Sequence, residues 1–107
     1  MTFALRFLPE VEEDAVAGFS WYEEKAPGLG ESFLRVFYDA VREIPPNPLL
    51  YQLVRDKLRR RLLSRFPYAV YFTLEDETII VIGLFHCARD PRYITAEVER
   101  REESDKR

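Results

Sequence analysis

Two segments of this chain hold side chains that can act on a phosphodiester or bind a polyanion. Residues 59–72 begin with three consecutive arginines, and residues 86–91 contain the chain's single histidine beside its single cysteine. Cleavage of RNA through its own 2′-hydroxyl needs a group that takes the hydroxyl proton, charge stabilisation at the phosphate oxygens and help for the leaving 5′-oxygen. Guanidinium groups supply positive charge, and an imidazole can move a proton because its reference pKa lies near neutrality. The two segments therefore contain the residue types that such a reaction needs.

Two overlapping sets of site residues are predicted within and beside these segments. For RNA cleavage, the predicted catalytic residues are His86, Arg61, Arg65, Arg89 and Tyr93, where the tyrosine would stack on a base or donate a proton. The residues predicted to contact a target are Lys57, Arg59, Arg60, Arg61 and Arg89. Residues at odd positions along a strand share a face, so we expect Arg59, Arg61 and Arg65 to converge.

Several of these residues also have a structural interpretation. Consecutive strand residues alternate between faces, so some of the three arginines must face solvent or pair with carboxylates of the helices. His86 can bond to the end of its strand or to Asp90. Asp90 is itself expected to bond nearby backbone donors in a turn before Pro91. Trp21 suits packing in the core or between helices.

The positive charge of the chain is confined to one short segment. The net charge is −3 over 107 residues, yet residues 55–66 hold six basic side chains and one acidic side chain. A polyanion is therefore expected to bind at this strip alone, because the acidic remainder opposes a broad nucleic-acid footprint. A single cysteine excludes an intramolecular disulfide and suits the cytoplasm, where we expect the chain to reside. No apolar run reaches membrane-spanning length, so no membrane partner is expected.

The first half of the chain predicts one strand and two helices. Residues 3–7 alternate as a strand does, and Pro9 followed by four acidic residues suits the first turns of a helix. Residues 27–30 read Pro-Gly-Leu-Gly and break that helix. A second periodic run from Phe33 to Ile44 ends at a cluster of three prolines. Two helices joined by four residues form an antiparallel hairpin.

The second half predicts strands at residues 51–55, 58–66, 68–75 and 78–86, then a short helix over residues 93–101. The fold class is therefore α+β: an N-terminal strand, an antiparallel helical hairpin, and a mostly antiparallel sheet of three to four further strands with a short C-terminal helix. We expect the helices to lie on one face of the sheet. Residues 1–101 are expected to form a single domain, followed by a frayed tail at residues 102–107.

Cofactor and metal chemistry are not expected from this sequence. A metal site needs several converging nitrogen, sulfur or oxygen ligands, whereas His86 and Cys87 are adjacent and would point to opposite faces of a strand. The four glycines are scattered, so no phosphate-binding glycine loop is present. The expectation is no cofactor and no metal.

Several motifs, in their order along the chain, resemble the RelE/ParE toxin superfamily of bacterial toxin–antitoxin systems. The motifs are Trp21-Tyr22 late in the first helix, Pro27-Gly28-Leu29-Gly30 between the helices, Ile44 with the Pro45–Pro48 run, Arg60-Arg61…Phe66-Pro67-Tyr68, and His86…Arg89-Asp90-Pro91. The resemblance covers about residues 3–93. The resemblance implies a toxin that a cognate antitoxin holds inactive with an extended or helical segment. The same motifs are also typical of ParE-like plasmid-stabilisation toxins.

The resemblance implies two different targets. ParE-like members inhibit DNA gyrase through protein contacts without enzymatic activity, and RelE-like members are ribosome-dependent messenger-RNA endonucleases. The sequence pI near 5.2 favours the gyrase target, because attraction to the phosphate-dense ribosome would be modest. The messenger-RNA endonuclease and a non-toxic partner-binding module are the alternatives. A groove for an antitoxin helix is predicted at Trp21, Tyr22, Phe33 and Phe37.

Overall fold

The structure, a computed structural model that describes residues 3–107, contains five strands and three α-helices in that range. In chain order these are β1 (Ala4–Phe7), α1 (Glu10–Lys25), α2 (Leu29–Glu43), a 3-10 turn (Pro48–Leu50), β2 (Gln52–Arg55), β3 (Leu58–Leu62), β4 (Tyr68–Glu75), β5 (Thr78–His86) and α3 (Pro91–Asp105). The predicted α+β class and the predicted order of elements are confirmed.

Local chemistry explains the tight turn between α1 and α2. Gly28 has a φ of 87°, a left-handed conformation that other residues adopt only at a cost. The Glu23 carboxylate accepts hydrogen bonds of 3.0 Å from the backbone N–H groups of Gly28 and Gly30. A Cβ atom at Gly18 would clash with the Phe33 ring, so glycine there lets the two helices approach closely. The close approach of the two helices and the tight turn between them therefore depend on glycine at positions 18 and 28.

The sheet has the strand order β1-β5-β4-β3-β2. β1 pairs with β5 in parallel, and the other three pairs are antiparallel, as a mostly antiparallel sheet requires. Residues 79–85 of β5 are all buried, and β5 lies between β1 and β4, so it is an interior strand, as its apolar sequence indicates, although β4 occupies the centre of the sheet. β1 and β2 form the two edges of the sheet.

The helices cover both faces of the sheet. Tyr68 and Tyr71 lie three positions apart on β4 and therefore point to opposite faces. The Tyr68 ring contacts Tyr22 of α1 and Phe33 of α2. Tyr71 contacts Phe85, whose ring also contacts Tyr93 of α3, so α3 lies opposite the hairpin. The expectation that all helices share one face is wrong, because α3 buries Ile94 and Val98 against the other side.

Two predicted element boundaries differ from the structure. β3 ends at Leu62 instead of residue 66, because Arg65 adopts a φ of 70° and turns Phe66 into the core, 4.9 Å from the Tyr22 ring centroid. α3 continues past the predicted end at Arg101 to Asp105, where the Arg6 guanidinium donates a 2.9 Å hydrogen bond to the Asp105 carboxylate. That ion pair links the predicted tail to β1.

None of the helices within residues 3–107 has both the length and the apolar composition that crossing a bilayer requires.

Candidate functional site

A cavity of about 260 Å³ lies where β5 ends, between α1 and the start of α3. We call it the β5-end groove and define it by Trp21, Tyr68, His86, Arg89 and Tyr93, which all line it. Three of the five predicted catalytic residues, His86, Arg89 and Tyr93, are therefore brought together. Their convergence follows from the chain path, because β5 ends at His86 and α3 begins five residues later.

The His86 imidazole is oriented by its own turn. Its Nδ1 atom accepts a 2.9 Å hydrogen bond from the backbone N–H of Ala88. In a neutral imidazole that accepts through Nδ1, the proton is on Nε2, which is the nitrogen left to donate to a partner. The proposed bond from His86 to Asp90 is not formed. Asp90 instead accepts from the Arg92 backbone N–H at 2.8 Å and caps α3, which is the backbone role expected for it.

Exposed aromatic rings with adjacent cations flank the groove. The Trp21 side chain is 54% exposed, and Lys25 Nζ lies 4.4 Å from the centroid of its ring. The Arg89 guanidinium lies 4.4 Å from the centroid of the Tyr93 ring. Burial raises the pKa of Tyr68, so its hydroxyl remains a proton donor at neutral pH. The groove therefore presents aromatic faces, hydrogen-bond donors and positive charge to a molecule that enters it.

A buried ion pair forms the wall of the groove. Arg101 donates to both carboxylate oxygens of Asp14, at 2.6 and 2.9 Å, and to the Ile82 carbonyl at 3.0 Å. Asp14 also accepts from the Leu84 backbone N–H at 3.0 Å. β1 pairs with β5 only as far as Val81, so these two side chains bond the edge of β5 where no strand covers it. Burial alone would lower the pKa of Arg101, but its hydrogen bonds to Asp14 and Glu97 outweigh burial and raise that pKa, so the guanidinium stays charged.

Sequence reasoning missed this pair. The sequence pattern places Asp14 among the acids of the first helical turns and Arg101 at the predicted end of the last helix. The two residues are 87 positions apart, so no local spacing connects them. The one usable signal is that Arg101 follows Ile94 and Val98 at helical spacings, which places it on the apolar face of α3.

The cationic residues of β3 point away from the groove. Arg61 pairs with the Glu43 carboxylate at the end of α2 and donates to the Leu62 carbonyl. Arg59 donates to the Tyr51 carbonyl at 2.8 Å, and Arg60 donates to the Gln52 side-chain oxygen at 3.0 Å. All three arginines thus bond to groups at the β2 side of the sheet, and β3 and β4 separate that side from β5.

The remaining predicted cations occupy the two turns that flank β3. Lys57 lies on the turn between β2 and β3. Arg65 lies on the turn between β3 and β4, where a 2.8 Å hydrogen bond from the Cys87 N–H to the Pro67 carbonyl holds that turn against the end of β5. Of the five residues predicted for catalysis, His86, Arg89 and Tyr93 line the groove, whereas Arg61 and Arg65 do not.

The residues predicted to bind an antitoxin differ in their exposure. Trp21 is exposed on α1, whereas Tyr22, Phe33 and Phe37 are buried in the core. Tyr22 and Phe33 contact Phe66 of the β3–β4 turn at centroid distances of 4.9 and 5.4 Å. In this conformation only Trp21 of the four is available to a partner. Within the range that the structure describes, no three His, Cys, Asp or Glu side chains group as metal ligands.

Comparisons with known proteins identify the family. Residues 5–91 match the family model described as the ParE toxin of the type II toxin–antitoxin system parDE. Toxin ParE2 of Mycobacterium tuberculosis, in strains CDC 1551 and H37Rv, is 31% identical over 102 residues, which cover 94% of this chain and 97% of the relative.

Solved structures share the fold at low sequence identity. The chromosomal ParDE system from P. aeruginosa matches with a TM-score of 0.72 at 13% identity, over 79% of this chain and 96% of that chain. A free E. coli RelE mutant matches with a TM-score of 0.56 at 13% identity, over 94% and 98%. From its family match and its relatives, the chain belongs to the ParE toxins of type II toxin–antitoxin systems.

Proposed function

We propose that this ParE-type toxin inhibits DNA gyrase by direct protein contact and that a cognate antitoxin holds it inactive. The observation that carries the proposal is the separation of the cationic β3 residues from the imidazole. Arg61 bonds Glu43 at the β2 side, whereas His86 lines the β5-end groove. A surface that binds a protein needs exposed aromatic and arginine side chains, but it does not need an assembled proton-transfer site.

The β5-end groove is the part of the surface best suited to the target. Tryptophan, tyrosine and arginine are enriched among residues that dominate protein interfaces, and Trp21, Arg89 and Tyr93 meet there. Each aromatic ring already carries a cation against its face, so an acidic group of the target can be bound beside an apolar surface. We assign the gyrase contact to this groove.

A gyrase assay without ribosomes tests the proposal. Purified toxin is expected to block supercoiling of relaxed plasmid by purified gyrase. Arg89→Glu is expected to weaken inhibition at least about tenfold, because reversing an interface charge costs more than about 1.4 kcal/mol. His86→Gln is the matched variant, because it keeps a polar side chain on the groove but removes proton transfer at neutral pH. It is expected to retain inhibition of supercoiling and to lose far less of it than Arg89→Glu does.

The same variants distinguish the two alternative functions. If the chain cleaved messenger RNA, His86→Gln would abolish growth arrest while gyrase remained active at every toxin concentration. If the chain were a non-toxic binding module, induced expression would leave growth, supercoiling and messenger RNA unchanged. Either result would refute inhibition of gyrase.

Membership in this family supports the proposal of an antitoxin partner, because the matching family model describes the toxin of a toxin–antitoxin system. The candidate is the product of a short open reading frame adjacent to this chain's gene, which sequencing of the flanking DNA is expected to identify. Coexpression of that protein is expected to restore growth, and the protein is expected to co-purify with the toxin. Failure of both would refute neutralisation by that partner.

A further inference from the structure

A second cavity, of about 220 Å³, lies between α3 and the turn that joins β2 to β3. Its buried lining residues are Leu58, Thr73 and Val98, which are 6%, 6% and 3% exposed. Acidic and basic side chains of α3, β4 and the turn surround them. We call this space the α3 cavity. It shares no lining residue with the β5-end groove, so the function proposed for that groove does not use it.

The Thr73 hydroxyl in the α3 cavity has no partner within the protein. Thr73 lines the cavity from β4, and its Oγ1 atom is buried without a hydrogen bond to any group in residues 3–107. The other hydroxyl of the cavity, on Thr95, donates to the Pro91 carbonyl at 2.7 Å. Buried polar groups are nearly always hydrogen-bonded, because an unpaired group loses its hydration and gains nothing in return. The unpaired hydroxyl therefore indicates a ligand that bonds to it.

The least solvated charge of the α3 cavity is negative. Glu102 is partly buried in the wall, and burial raises the pKa of its carboxyl group. Glu75 and Glu99 also raise this pKa, whereas Lys106 and Lys57 lower it. Among residues 3–107, no basic nitrogen lies within 4.0 Å of a carboxylate oxygen of Glu102 or Glu75. A partly desolvated carboxylate without a counterion favours the binding of a cation.

The basic residues of the cavity do not supply that counterion. Lys57 and Lys106 are exposed, and in the described range neither lies within ion-pair distance of a carboxylate. Arg55 lies 3.6 Å from the Asp56 carboxylate and 4.0 Å from the Glu99 carboxylate. The lining residues together carry four acidic and three basic side chains, which leaves one net negative charge. One monovalent cation balances this charge.

The size and lining of the α3 cavity favour a small organic cation over a metal ion. No three His, Cys, Asp or Glu side chains within residues 3–107 are grouped as ligands for a metal. An apolar cavity of about 150 Å³ accepts benzene, so about 220 Å³ accepts roughly six to nine non-hydrogen atoms. The apolar surface of Leu58 and Val98 suits an alkyl chain, because covering it removes apolar area from water.

We propose that the α3 cavity binds a short primary alkylamine as its ammonium ion. The ammonium group donates hydrogen bonds to the Thr73 Oγ1 atom and to the Glu102 carboxylate, and the alkyl chain covers Leu58 and Val98. The site is separate from the β5-end groove, so the inference goes beyond the proposed function and does not depend on it.

Isothermal titration calorimetry of the full chain with pentylamine tests the inference. We expect one molecule to bind per chain with a Kd of about 1 mM or lower. The neutral 1-pentanol has the same length and is expected to bind at least about tenfold more weakly. Absence of saturation by pentylamine up to about 20 mM, or equal binding of the alcohol, would overturn the proposal. A lysine with both backbone ends blocked, if it bound more tightly than pentylamine, would assign the site to a protein side chain and overturn the free amine as the ligand.

Two variants and a matched control locate the bound amine. Thr73→Val removes the hydroxyl at nearly constant shape, and Glu102→Gln removes the charge; each is expected to weaken pentylamine binding at least about tenfold. Thr73→Val is also expected to leave Tm at or above that of the parent, because the lost hydroxyl has no bond within residues 3–107. Glu103→Gln removes the same charge from an exposed position of α3 outside the cavity, and its affinity is expected to stay within about twofold of the parent. Equal losses in Glu102→Gln and Glu103→Gln, or an unchanged affinity of Thr73→Val, would refute binding in this cavity.

Discussion

The Asp14–Arg101 pair makes a quantitative prediction about stability. Arg101 is 6% exposed and makes four hydrogen bonds: two to Asp14, one to Glu97 and one to the Ile82 carbonyl. Arg101→Met keeps much of the side-chain volume but leaves the Asp14 carboxylate, which is 14% exposed, without its counterion. Removing one partner of a buried pair costs about 3–5 kcal/mol. We expect Arg101→Met to lower the free energy of unfolding by about 3 kcal/mol.

That loss is large for a chain of this size. Small domains unfold with roughly 5–15 kcal/mol, and each kcal/mol shifts Tm by about 4–8 °C in domains of up to about 100 residues. A decrease in Tm of at least about 12 °C is therefore expected. Urea denaturation followed by far-ultraviolet circular dichroism measures the change, with m-values checked for a constant unfolded state.

A double-mutant cycle distinguishes the lost ion pair from lost packing. Asp14→Asn retains an acceptor for the Leu84 N–H but removes the charge, so the Asp14→Asn/Arg101→Met double variant contains no uncompensated carboxylate at position 14. We expect the double variant to be more stable than the sum of the single losses predicts by about 2 kcal/mol. An interaction energy below about 0.5 kcal/mol would show that the pair contributes no more than independent contacts do, and it would refute the reasoning.

Four further substitutions, each at a single position, make additional predictions. Hydrogen bonding to Arg100 lowers the pKa of Glu97 to about 2, although burial opposes this shift. Glu97 therefore contributes its full stabilisation at pH values above its ordinary pKa of 4.5, and this stabilisation is lost as the pH falls toward 2. Glu97→Gln should cost about 1–2 kcal/mol at pH 7 and little at pH 2 in urea titrations. Gly18→Ala should lower the free energy of unfolding by about 2 kcal/mol or more, because its Cβ would clash with the Phe33 ring. Gly28→Ala should lower it by only about 1 kcal/mol, because no atom is close and only the left-handed backbone at that position opposes a side chain. Asp90→Ala removes the α3 cap and should lower the free energy of unfolding by about 1 kcal/mol in the same assay.

The elements that local patterns specify were predicted well. Prolines and glycines mark the ends of α1 and α2, and the fully apolar run at 79–82 predicts a central strand, because these signals depend on nearby residues alone. The end of β3 was predicted too late, because the left-handed backbone at Arg65 has no glycine or asparagine to signal it.

Features that depend on distant contacts were not predicted. The face on which α3 packs is determined by which side of β4 remains uncovered, and the periodicity of α3 does not contain that information. Likewise, the spacing of Tyr22, Phe33 and Phe37 indicates an apolar stripe but not whether a sheet of the same chain or a partner covers it. The candidate site was predicted in part: His86, Arg89 and Tyr93 are close in sequence and meet, whereas Arg61 is drawn away by Glu43.

The position of Trp21 makes the chain its own optical reporter. Trp21 is the only tryptophan, and its indole stands in solvent at the rim of the β5-end groove while the aromatic rings of the core are phenylalanine and tyrosine. Indole emission therefore senses what covers this groove, with little response to events in the interior. A partner seated on the groove would shift the emission to shorter wavelength, and a partner bound at a surface remote from Trp21 would leave the spectrum unchanged. Unlabelled toxin thus allows the order in which target and antitoxin arrive and leave to be followed in stopped flow.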